Sequence, residues 1–167
     1  VARTLQTIAE GYLCREDYVK PKIFVTVGSG WFDELISTAD KLPFDVRMQI
    51  GSGKFIPRNH QWFRFAKDLK PHYLWADLVV SHGGAGTLFE VLRLGKKVVA
   101  VPNPHYTDNH QVQILEELSR RGHVVYCRSF AELHLAIARA MRAHNVPYVP
   151  VRNGIPNVIN RWIAQHC

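Results

Sequence analysis

One pattern recurs along this chain and restricts its fold more than any other. Short apolar, β-branched runs are each closed by glycine, proline or a small polar residue, and apolar positions at helical spacing follow. The runs are Ile23–Val27, Asp45–Ile50, Leu78–Ser81, Val98–Val101 and Val124–Cys127. Apart from Asp45–Ile50, which mixes in polar residues, they are nearly continuously apolar, so both faces of each strand are expected to be buried. A sheet buried on both faces and interleaved with helices is a parallel one. The expected class is α/β: a Rossmann-like, doubly wound parallel sheet with strands and helices alternating from end to end.

The helical segments carry their own punctuation. Phe32, Leu35, Ile36 and Ala39 recur at helical spacing. Asp68–Ala76 tolerates Pro71 because it lies near the start. Ala85–Leu94 ends at Gly95, and a helix from Asp108, its expected N-cap, to Arg121 ends at Gly122. Ser129 is expected to cap a helix reaching Ala143, and Asn157–Gln165 forms a last short one. Phe55–Phe65, with Pro57, reads as a loop and a short strand.

A length of 167 residues fits one domain at roughly 100–200 residues each. We place it at 21–167, with residues 1–20 as a leader or linker. Those twenty residues carry Arg3, Glu10, Arg15, Glu16, Asp17 and Lys20 and lack the apolar centre of a secretory signal. Cys14, Cys127 and Cys167 show no metal-ligand spacing and read as reduced thiols of a cytosolic protein. The net charge of +7 is dispersed as singles and pairs. It suits a solvated surface or one resting on anionic lipid, and no nucleic-acid partner is expected.

Ligands of such a sheet sit beyond the carboxyl ends of its strands. Three strand-to-helix turns carry unusual chemistry there. Gly28-Ser29-Gly30 frees the backbone to approach a ligand. Ser81-His82-Gly83-Gly84-Ala85-Gly86-Thr87 leaves amide groups uncovered at a helix N-terminus, where an anion is favoured. Glu90 follows one turn later on the face of Gly86 and Thr87. A carboxylate there repels phosphate but accepts hydrogen bonds from ribose hydroxyls. The turn is neither a Walker loop nor GxGxxG. Asn109-His110-Gln111 crowds neutral donors and acceptors suited to sugar hydroxyls onto the next helix.

With those residues in view, the segments KIFVTVGSGWFDELI, ADLVVSHGGAGTLFEVLRLGKKVVAVPN, DNHQ and the Gly122-His123 pair resemble a known family. It is that of the donor-binding subunits of two-subunit UDP-GlcNAc transferases, the dolichol-linked enzyme and its bacterial exopolysaccharide and capsule counterparts. More distantly they are similar to the C-terminal half of MurG. The resemblance spans about Lys22 to Cys127 and implies the C-terminal, donor half of a GT-B glycosyltransferase.

It further implies that Gly83, Gly84, Ala85, Gly86 and Thr87 hold the UDP diphosphate, with Ser81 and His82 beside them, and that Glu90 holds the ribose. His110 and Gln111, next to Asn109, would touch the donor sugar, while Gly28 and Ser29 face the cleft. Uracil would lie against backbone between the second strand and the helix before Leu78. Such enzymes are inverting and use neither metal nor cofactor, the UDP-sugar being a substrate. The catalytic base is expected on a membrane-anchored, acceptor-binding partner, and His82 is the weaker candidate for it. The expected function is transfer of GlcNAc from UDP-GlcNAc to a polyprenyl-diphosphate-linked acceptor. The chain would work from the cytoplasm, peripheral to the membrane through its partner. The competing expectation is a non-catalytic activator or scaffold subunit of a polysaccharide glycosyltransferase.

Overall fold

A computed structural model describes residues 20–105, 110–144 and 146–150. The expectations for residues 1–19, for Asp108 and Asn109, for Cys14 and Cys167 and for a helix over Asn157–Gln165 lie outside the described residues. The strands are β1 (Lys22–Thr26), β2 (Asp45–Gln49), β3 (Gln61–Phe63), β4 (Leu78–His82), β5 (Lys97–Val101) and β6 (Val125–Tyr126). They form one sheet in the order β3-β2-β1-β4-β5-β6, and every pairing is parallel. This is the doubly wound order, with its switch point between β1 and β4.

The helices are α1 (Asp33–Ala39), α2 (Lys70–Trp75), α3 (Ala85–Arg93), α4 (His110–Arg120) and α5 (Leu133–Arg142). Successive strand residues serve opposite layers. Ile23 and Val25 of β1 pack with Leu35, Ile36 and Ala39 of α1 and with Ala136, Ile137 and Ala140 of α5. Phe24, between them in sequence, packs on the other face with Tyr73 of α2, Leu88 and Val91 of α3 and Leu115 of α4. Two apolar layers on one sheet explain why most of the strands read as nearly unbroken apolar runs.

Two details differ from the sequence expectation. Strands and helices do not alternate throughout, because β2 passes to β3 through turns and bends alone. That connection is held by Asp40, a buried carboxylate at the end of α1. It accepts the backbone N–H groups of Arg58 and Asn59 and the Asn59 side-chain amide. Nor does Ser129 cap a helix through its side chain. The chain makes a 3-10 turn over Phe130–Glu132 before α5 begins, and Ser129 contributes only its carbonyl, accepting from the N–H of Glu132. The glycine terminators are as expected: Gly95 and Gly122 both lie at positive φ just past a helix.

Candidate functional site

At the switch point, the turns after β1 and β4 lie side by side. Gly28 opens the first, at φ +68°, and Gln49 anchors it. This buried carboxamide of β2 accepts from Gly28 N–H and donates to the Gly28 and Arg64 carbonyls. Gln49 was not singled out from the sequence. Its one signal there is an amide in an otherwise apolar strand end.

His82 ends β4, and its imidazole fills the space between the two turns. A Cβ at Gly28 would come within 2.9 Å of the ring carbon Cε1, and one at Gly84 would run into Nε2. Two glycines are therefore demanded by one histidine, whatever else they do. Burial, opposed by the Thr26 carbonyl, holds the His82 imidazole below the ordinary histidine range, so it is neutral at physiological pH. Its Nδ1 is buried without a hydrogen-bond partner among the described residues.

Past His82 the chain enters α3. Gly84 stands at the N-cap in extended conformation, and no side chain closes the helix end. The first amides of α3 thus point outward free of side-chain caps. Gly86 is exposed, with nothing within 4 Å of where a Cβ would stand. One turn on, Glu90 lines an open groove of about 460 Å³ with Gly86, Lys70, Phe89, Arg93 and Leu94. The spacing inferred for Gly86 and Glu90 is realised on one helical face.

The third turn follows β5. Gln111, in the first turn of α4, lies against Gly83, where a Cβ would meet the Gln111 Cβ at 2.8 Å. Its carboxamide oxygen accepts the N–H of Asn103 at 3.0 Å. Asn103 in turn donates through Nδ2 to the Trp31 carbonyl and accepts from the N–H of His105. His105 stacks on Trp31 with ring centroids 4.3 Å apart and pairs with Glu34 at 2.9 Å. These contacts tie the β1 turn to the β5 loop across the edge of the sheet.

The structure thus brings Gly28, His82, Gly83, Gly84 and Gln111 into one cluster, with Ala85, Gly86, Thr87 and Glu90 leading away along α3. Ser29 is exposed beside it. Ser81 differs from its expectation as a ligand contact: it is fully buried, and its hydroxyl donates to the His82 carbonyl at 2.8 Å, so it shapes the turn from beneath. His110 begins α4, and Asn109 lies outside the described residues.

Comparison with known proteins finds relatives of this chain. Residues 22–153 match the glycosyltransferase family 28 C-terminal domain. The UDP-N-acetylglucosamine transferase subunit ALG13 of Homo sapiens is 34% identical over 122 residues, covering 63% of this chain and 11% of the human protein. The subunit of the same name from Yarrowia lipolytica is 36% identical over 102 residues, 55% of this chain and 52% of its own length. The chain therefore spans about a tenth of one relative and about half of the other. Among solved structures, MurG of Acinetobacter baumannii superposes with a TM-score of 0.61 at 21% identity, covering 88% of this chain and 53% of MurG. That likeness is one of fold.

Proposed function

This chain belongs to the glycosyltransferase family 28 C-terminal domain family, and from that we propose that it binds UDP-GlcNAc as the donor-holding part of a hexosyltransferase. One observation carries the reading. An uncapped helix N-terminus stands at the switch point of a doubly wound sheet, with a carboxylate one turn along its open groove. The uncovered amides of α3 and the helix dipole favour the diphosphate. Glu90 accepts hydrogen bonds from the ribose hydroxyls, and the NH2 of Gln111 donates to the sugar. As the sugar departs from the diphosphate, negative charge grows on the leaving oxygens. Fixed backbone donors meet that charge without having to reorganise.

His82 serves this site as a wedge. Its neutral ring sets the spacing of the two turns, and a proton acceptor for the attacking hydroxyl is proposed on a membrane-anchored partner that carries a polyprenyl-diphosphate-linked acceptor. The related ALG13 proteins are named as subunits, which supports a partner. Transfer is proposed to proceed with inversion and without a metal. The decisive measurement is calorimetry of UDP binding to Glu90→Ala. We expect a loss of tenfold or more, on the order of 1.4 kcal/mol or above; unchanged affinity removes the ribose assignment. The isolated chain is expected to bind UDP yet to transfer nothing until membranes containing the partner are added. Transfer by the isolated chain would place the base within it.

A further inference from the structure

Beneath the groove of Glu90 lies a tyrosine whose chemistry the donor reading leaves unused. Tyr73 of α2 is fully buried, its ring edge-on to Phe24 with centroids 5.6 Å apart. It packs in the layer that holds Leu88 and Val91 of α3, so the ring has no room to swing away. Its hydroxyl is closed off from solvent and makes no direct hydrogen bond of good geometry among the described residues. Thr87 and Glu90 both lie close enough for their oxygens to act on it as hydrogen-bonding groups. Burial first, and the Glu90 carboxylate second, push its ionisation above the ordinary tyrosine range. The group is therefore a proton donor at any physiological pH.

A buried, unpaired hydroxyl is costly, and native structures retain few of them. Here a candidate acceptor stands beside it, on the very side chain proposed to hold the ribose. We infer that Tyr73 is a positioning residue for the nucleotide: unpaired in the free protein, its hydroxyl donates to Glu90 once the ribose draws that carboxylate into line. Thr87, on the same turn of α3, stands next to this contact. The free protein thereby keeps an unspent donor that only the bound state satisfies, and recognition of the ribose gains a second, buried point of support.

The inference rests on the reading of Glu90 as the ribose acceptor, and its test separates the two. Affinities for UDP and for a UDP analogue lacking both ribose hydroxyls are measured by calorimetry in the parent chain, Glu90→Ala and Tyr73→Phe. Tyr73→Phe removes one oxygen and preserves the ring. We expect it to reduce discrimination between the two nucleotides by about tenfold, as loss of a hydrogen bond to a charged group would. Affinity for the analogue should stay unchanged, and Tm should stay at or above that of the parent. If Glu90→Ala abolishes discrimination while Tyr73→Phe preserves it, the Tyr73 inference falls and the ribose site stands. If Glu90→Ala leaves discrimination intact, the ribose assignment falls, and this inference with it. A Tm several degrees lower in Tyr73→Phe would show the hydroxyl already bonded in the free protein and would also overturn the inference.

Discussion

The glycines of the site are not interchangeable, and the difference is measurable residue by residue. Gly51 sits at φ +55°, and a Cβ there would collide with the Gly30 carbonyl oxygen. We expect Gly51→Ala to cost about 2–3 kcal/mol, read by urea denaturation. Gly86 has open space and lies in a helix. Gly86→Ala is expected to stabilise the fold by about 0.5–1 kcal/mol, since glycine is a poor helix former. If its bareness serves the diphosphate, the same substitution weakens UDP binding while raising Tm; a parallel gain in both would deny it a ligand role.

His82 gives a dependence on pH at the same scale. Its folded-state affinity for protons is depressed by burial, so the unfolded chain binds more protons in acid. Stability is therefore full above the unfolded value of 6.5 and is lost as pH falls through it. His72, lowered by burial and then by Arg47, acts in the same direction. Replacement of His82 by Asn should flatten the fall in Tm between neutrality and about pH 5. A slope unchanged in the variant would assign the effect elsewhere.

Between residues and the whole stand the elements, and here some of the positive charge finds its use. Lys96 reaches back across the layer, its ammonium donating to the carbonyls of Leu74 and Ala76 at 3.0 and 2.8 Å, where α2 ends. A cation bonded to the last carbonyls of a helix opposes its dipole. Lys96→Met is expected to lower stability by about 1 kcal/mol, visible as a reduced denaturation midpoint at unchanged slope. In sequence, Lys96 and Lys97 read as part of a dispersed basic surface. Lys97 too is engaged, donating to the Met141 carbonyl.

The same scale shows where sequence reading succeeds and where it stops. Four of the five runs were legible because burial on both faces leaves little alternation to mislead, and Asp45–Ile50 because its apolar positions stand between turn residues. The glycine turns were legible because their conformations and close approaches admit little else. The connection between β2 and β3 was not, since it is shaped by Asp40, eighteen and nineteen residues before the amides it binds. Gln49, Ser81 and Tyr73 were opaque for a related reason. Whether a polar side chain in a strand or helix faces a ligand, a backbone carbonyl or nothing depends on elements brought up from elsewhere in the chain. Gln111 lies in between: its turn is legible in the sequence, but not that one end of its amide is already bound to Asn103.

For the molecule as a whole, the order of strands means that the site is framed by segments far apart in the chain. At the other end of the sheet, the β1–β4 pair is closed by reciprocal bonds. Lys22 N–H donates to the Asp77 carboxylate and Asp77 N–H to the Lys22 carbonyl, across 55 positions. No contiguous fragment shorter than that span contains both turns of the crevice. Bringing such distant segments together is entropically slow, and each local β–turn–α unit can form sooner. The crevice that His82 fills is thus a late product of folding. Recovery of UDP binding after dilution from urea should lag the return of helical signal, and the two should coincide if the central pairing forms first. A chain halted short of that pairing would hold most of its helices without the crevice, so on the proposed function nucleotide capture would double as a check on completed assembly.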